Sequence, residues 1–137
     1  MQMKDFEDYP PKLIDHADGI KLYSDDSWYY DTISSWWCNI LGHRHPAITA
    51  ALKTQLDTLD HIMFGNFTHL PAIELSTRLV NITPDGLDRV YYSDNGSTAI
   101  EVALKMSLHY WLNKKQPKKT NLLFFNGSYH GDTIGAM

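Results

Sequence analysis

Tyr91-Tyr92-Ser93-Asp94-Asn95-Gly96-Ser97-Thr98-Ala99-Ile100-Glu101 is the stretch whose reading decides the fold. Val90, Tyr91 and Tyr92 are β-branched or aromatic, which suits a strand entering a sheet. Asp94-Asn95-Gly96 is turn chemistry, with a glycine that lets another group approach the backbone closely. Ser97 and Thr98 then open a run in which Ile100, Leu104, Leu108 and Trp111 fall at helical spacing. A helix start of this kind presents unpaired N–H groups, the positive end of the macrodipole and two hydroxyls, which together can seat a phosphate. Two readings stand at this point: an ordinary capped βα turn, and a phosphate cup.

Downstream, Asn121-Leu122-Leu123-Phe124-Phe125 is a continuous apolar run bounded by turn residues, the signature of a buried parallel strand. Asn126-Gly127-Ser128-Tyr129-His130-Gly131-Asp132-Thr133 follows it. Ligands of open α/β sheets bind outside the carboxyl ends of the strands, so Tyr129, His130 and Asp132 are expected on the same rim as Gly96 and Ser97. Tyr129 could lay its ring on a planar ligand; the other reading is a plain βα loop. Two rims with complementary chemistry favour a planar cofactor that carries a phosphate.

Upstream, residues 1–18 read as a loosely structured lead, with Pro10-Pro11 opposing helix formation. Ile20–Tyr23 and Trp28–Asp31 read as a β-hairpin across Ser24-Asp25-Asp26-Ser27. Ser34–His43 is aromatic and polar in an irregular setting, and Trp36-Trp37 within it suits a packed structural cluster or a substrate wall. Pro46 begins a helix carrying Ile48, Leu52, Leu56 and Leu59 and ending near Asp60. A loop rich in large apolar groups runs from His61 to His69. A second helix then starts near Pro71, with Leu75, Leu79 and Ile82 on one stripe, and is broken by Asn81–Gly86. The expected class is α/β, divided into a hairpin and helix segment over 1–60 and the beginning of a parallel-sheet domain over 61–137.

Of the 137 residues, 43% are hydrophobic and 20% charged, as in an ordinary globular protein. A formal charge of -4 gives no support to a nucleic-acid or anionic-membrane partner. The single cysteine, Cys38, allows no intrachain disulfide and fits a reducing compartment. Residues 1–8 lack a signal-peptide core, and no apolar run approaches the ~20 residues of a membrane span, so a cytoplasmic protein is expected. His43-Arg44-His45 lacks a third ligand at useful spacing, and no metal is expected.

Trp36-Trp37, Gly42-His43-Arg44-His45-Pro46, His61-Ile62-Met63-Phe64-Gly65, Thr68-His69, Asp94-Asn95-Gly96-Ser97 and Tyr129-His130-Gly131-Asp132-Thr133 occur in one order. From about Gly19 onward this order resembles the class III pyridoxal-phosphate aminotransferases, enzymes of fold type I. Within that family the pattern is most similar to the branch that works in biotin biosynthesis. The resemblance implies pyridoxal 5′-phosphate as cofactor, S-adenosylmethionine and 8-amino-7-oxononanoate as substrates, and a homodimer. It implies that Gly96 and Ser97, assisted by Thr98, hold the cofactor phosphate, and that Tyr129 stacks on the pyridine ring and borders the substrate. Trp36 would wall the substrate site, and Asp132 would orient Tyr129 or contact substrate. The loop from His61 to His69 would lie near the dimer interface.

There are departures from the family pattern. Its early His-Pro-Tyr segment is not reproduced by Asp8-Tyr9-Pro10. Lys105 lies inside the phosphate helix, on its polar side, and does not match the Schiff-base lysine. That lysine, and the aspartate that pairs with the pyridine nitrogen, are expected beyond Met137. The chain therefore reads as the N-terminal part of the enzyme, inactive by itself and poorly soluble. Rival readings are another class III ω-aminotransferase and an inactive truncated remnant or docking module. A nucleotide-binding module is disfavoured, because neither a G-x-G-x-x-G nor a Walker pattern is present.

Overall fold

The computed structural model describes residues 4–137, and the reading of Met1-Gln2-Met3 lies outside them. The chain forms two compact units, one ending at Thr68 and the other spanning His69–Met137.

The first unit is built on an antiparallel sheet in the order β1 (His16–Asp18), β2 (Lys21–Ser24), β3 (Ser27–Tyr30). The expected hairpin is β2–β3, paired from Lys21↔Tyr30 to Ser24↔Ser27 around Asp25-Asp26. The lead is more ordered than its prolines suggest. A short helix α1 (Asp5–Asp8) precedes Pro10, and β1 pairs with β2 through a turn at Gly19, whose φ of +56° suits glycine. The His16 ring stacks on the Tyr23 ring across that ladder at 4.4 Å. Gly19 and His43 exchange two main-chain hydrogen bonds of 2.7 and 3.2 Å, which ties the segment after β3 back to the sheet. Gly42 is required beside this bridge: its φ is +85°, and a Cβ would lie 3.0 Å from the Gly19 carbonyl oxygen. A four-residue turn α2 (Ser34–Trp37) and helix α3 (Pro46–Leu56) complete the unit. Pro46 opens α3, where its missing N–H costs nothing. The helix ends at Leu56, four residues before the expected Asp60, where the Thr58 N–H bonds the Gln55 carbonyl at 3.0 Å in a tighter i→i−3 turn.

The second unit contains α4 (Leu70–Ile82) and α5 (Gly96–Asn113). The covered stripe of α4 is Ala72, Ser76, Leu79 and Val80, whereas Leu75 and Ile82 of the expected stripe are exposed. Tyr92 sets this face: its hydroxyl donates to the Ala72 carbonyl at 3.0 Å and lies 2.8 Å from Ser76 Oγ. On α5 the less exposed positions include Ile100, Leu104 and Trp111 of the expected stripe, whereas Leu108 is exposed.

The two parallel strands do not form. Neither Val90–Tyr92 nor Leu122–Phe125 carries strand structure among the described residues. A strand exists only through its ladder partners, and these segments have none among the described residues. Leu123 and Phe125 are consequently 102% and 88% exposed. Ala72 and Ala136 are the only buried apolar side chains described.

Candidate functional site

The site is built on the first turn of α5. Asn95 caps it: its Oδ1 accepts the Thr98 N–H at 2.9 Å, and Thr98 Oγ1 accepts the Asn95 N–H at 3.2 Å. This reciprocal capping box satisfies two of the helix's orphan donors. The Thr98 hydroxyl also donates to the Asn95 carbonyl at 2.9 Å, so it is committed to the cap. The N–H groups of Gly96 and Ser97 have no acceptor among the described residues. They sit at the positive end of an 18-residue helix, and a Cβ built on Gly96 would meet nothing within 4 Å. Two free donors, the helix dipole and open approach fit a phosphate.

The loop after Phe125 folds onto this turn. Ser97 Oγ accepts the Asp132 N–H at 3.3 Å, and the Tyr129 hydroxyl donates to the Asp132 carboxylate at 2.8 Å. One helical turn further on, the Glu101 carboxylate accepts the Gly135 N–H at 3.1 Å. Gly131 makes the approach possible. Its φ is +133°, and a Cβ there would overlap the Ser97 side chain and lie 2.6 Å from Ser97 Cα. Gly96, Ser97, Tyr129 and Asp132 are thus brought together, with Thr98 in the cap beneath them. Hydrogen bonding to the Asp132 carboxylate, aided by desolvation and the carboxylate charge, raises the Tyr129 pKa above its ordinary value. The phenol therefore keeps its proton.

Trp36 belongs to the first unit and occupies an unusual turn. Ser34, Ser35, Trp36 and Trp37 have φ of 50°, 46°, 57° and 67°, a left-handed helical turn made without glycine. Such backbone costs about 1–2 kcal/mol per residue relative to the right-handed form. Both indoles stand outward, 74% and 78% exposed. Met63, Phe64 and Phe67 in the following apolar loop are each more than half exposed. His69 Nδ1, at the end of that loop, accepts the Ala72 N–H at 3.3 Å and caps α4.

The sequence reading missed the group that holds the left-handed turn. Asp31 Oδ1 accepts the Ser35 N–H at 2.9 Å, and Oδ2 accepts the Ser35 hydroxyl and His43 Nε2, each at 2.7 Å. These bonds, led by the Ser35 N–H, lower the Asp31 pKa to about 2. No local motif announces a contact between residues twelve apart. Gly131, also missed as a packing requirement, did carry a signal in its place between two polar site residues.

A helix start with two free N–H groups and an aromatic ring anchored beside it has the geometry that a phosphate-bearing ligand of an α/β protein requires. The comparisons make this specific. Residues 4–137 match the family described as aminotransferase class-III, and the chain belongs to that family. It is 47% identical over 135 residues to the adenosylmethionine-8-amino-7-oxononanoate aminotransferase of Synechococcus elongatus, covering 98% of this chain and 31% of that protein. The crystal structure of the protein of the same name from Methanocaldococcus jannaschii superposes with a TM-score of 0.92 at 35% identity, over 99% of this chain and 31% of that one. An ω-transaminase from Pseudomonas jessenii, solved in complex with PMP, matches with a TM-score of 0.89 at 25% identity, over 98% of this chain and 30% of that one. The chain thus spans about a third of the length of these relatives, and over that span its fold is that of the pyridoxal-phosphate aminotransferases.

Proposed function

We propose that these residues form the phosphate-binding part of an aminotransferase that moves an amino group from S-adenosylmethionine to 8-amino-7-oxononanoate, giving 7,8-diaminononanoate in biotin biosynthesis. The observation that carries the reading is the pair of free N–H groups at Gly96 and Ser97, beside a loop that holds Tyr129 by its hydroxyl. The choice of substrates rests on the likeness to two proteins of that name, at 47% and 35% identity.

Pyridoxal 5′-phosphate, when bound, supplies the electron sink for amino transfer. The chain's own residues hold and orient it. The Gly96 and Ser97 N–H groups, with the Ser97 hydroxyl, bind the phosphate dianion. Asp132 fixes the Tyr129 ring for stacking on the pyridine plane and keeps the proton on the phenol oxygen. Trp36 forms a wall of the substrate site. No lysine of the chain is assigned the Schiff-base role; Lys105 lies exposed on α5. A cytoplasmic homodimer belongs to the same proposal. No helix among the described residues is long and apolar enough to cross a membrane, and exposed Met63, Phe64 and Phe67 suit a subunit interface.

Turnover tests the reading. The intact enzyme should aminate 8-amino-7-oxononanoate with S-adenosylmethionine as donor and use simple ω-amines at least tenfold less well. The reverse preference would assign it to the ω-transaminases, as the likeness to the Pseudomonas protein would allow.

A further inference from the structure

Four consecutive residues in the left-handed region persist only where their surroundings over-determine them. The side chains of the turn do not do so, because Trp36 and Trp37 stand mostly in solvent and bury little. Within the backbone, the Trp37 N–H bonds the Ile33 carbonyl at 3.0 Å and the Cys38 N–H bonds the Ser34 carbonyl. A right-handed turn would supply equivalent bonds, so these do not select the hand.

Asp31 and His43 supply what is missing. The Asp31 side chain is only 5% exposed and that of His43 16% exposed, the most enclosed ion pair described. Both are fixed to the sheet: the Asp31 N–H donates to the Ile20 carbonyl at 2.8 Å, and His43 forms its two-bond bridge with Gly19. From this anchored base the carboxylate reaches both the backbone N–H and the hydroxyl of Ser35, the second residue of the turn. That bidentate grip defines the direction of one peptide unit and one side chain together. We propose that Asp31, backed by His43, is a positioning residue that holds Ser34–Trp37 in its left-handed turn and so aims the Trp36-Trp37 pair. Its bearing on catalysis rests on the reading of Trp36 as a substrate wall.

The test uses the holoenzyme labelled with 5-fluorotryptophan, with the Trp36 and Trp37 resonances assigned by Trp36→Phe and Trp37→Phe. Asp31→Ala should shift or broaden those two resonances and leave Trp28 and Trp111 unchanged. It should raise KM for S-adenosylmethionine about tenfold, with kcat and pyridoxal-phosphate affinity within about twofold, as a misplaced substrate wall requires. Should Asp31→Ala fail to fold, Ser35→Ala, which removes a single bond of the grip, should move the same two resonances to a smaller degree. Unchanged Trp36 and Trp37 resonances would overturn the proposal. So would a general loss of kcat and cofactor affinity with Trp28 and Trp111 perturbed as well, the mark of a merely structural role. If Trp36→Ala leaves KM unaltered while Asp31→Ala still moves both resonances, the positioning role stands and the substrate-wall reading falls.

Discussion

Replacing Gly131 with alanine should disrupt the proposed seat of the cofactor phosphate from outside it. A non-glycine residue at φ +133° costs about 1–3 kcal/mol in backbone strain. The new methyl would also intrude on Ser97, and overpacking of this kind costs about 1–3 kcal/mol. The two costs share one relaxation, a retreat of the loop from the helix, so they do not add in full. That retreat breaks the bond from the Asp132 N–H to Ser97 Oγ and shifts the Tyr129 ring with it. A net loss of about 2–4 kcal/mol follows, which in pyridoxal-phosphate affinity is roughly 30- to 900-fold. Titration of the apoenzyme with the cofactor, followed by fluorescence, measures it. Ser97→Gly in the same protein removes the clashing Oγ and Cβ but leaves Cα at 2.6 Å and the strained φ, so stability should return only in part. Cofactor affinity within twofold of the parent in Gly131→Ala would refute the packing argument.

Two predictions concern titration. Asp31 has a folded pKa of about 2 against an ordinary 3.8, so its carboxylate stabilises the fold fully above the ordinary value and loses that contribution as pH falls through about 2. In urea denaturation the stability gap between parent and Asp31→Asn should therefore narrow across that window, and a gap that widens on acidification would contradict the sign. Tyr129 has a raised pKa, so its bond to Asp132 contributes below the ordinary tyrosine value and is lost as pH rises through the raised one. Asp132→Asn should lower the Tyr129 pKa, read by NMR titration of ring-labelled tyrosine with Tyr129→Phe for assignment; no change would show that the hydrogen bond does not form.

The parts of the fold that local chemistry specifies were legible before the structure. Pro46 and Pro71 mark the starts of α3 and α4, and Asn95-Gly96 marks that of α5. Asp18-Gly19 is as strong a turn signal as any in the chain, and β1 could have been found from it. Long-range features were not legible. The segment Leu122–Phe125 has the composition of a buried strand, but its state depends on ladder partners that composition does not supply. The left-handed turn at Ser34–Trp37 carries no glycine; Asp31 grips Ser35 only four residues on, but what fixes Asp31 for that grip is its contact with His43, twelve residues away. Thr98 reads from sequence as assisting Gly96 and Ser97 at a phosphate; its bonds to Asn95 in the cap of α5 are a further role that the sequence reading did not draw from it.

The central claim is that the first two N–H groups of α5 hold the cofactor phosphate, and Gly96→Pro isolates it. Proline is compatible with the first position of a helix and removes one N–H, and nothing lies within 4 Å of where its Cβ would sit. The decisive quantity is the affinity of the apoenzyme for pyridoxal phosphate relative to pyridoxal, which lacks the phosphate. A hydrogen bond to a charged group contributes about 1.5–3 kcal/mol, so this ratio should fall roughly 10- to 150-fold in Gly96→Pro, with helix content by circular dichroism unchanged. An unchanged ratio in a folded variant would place the phosphate elsewhere.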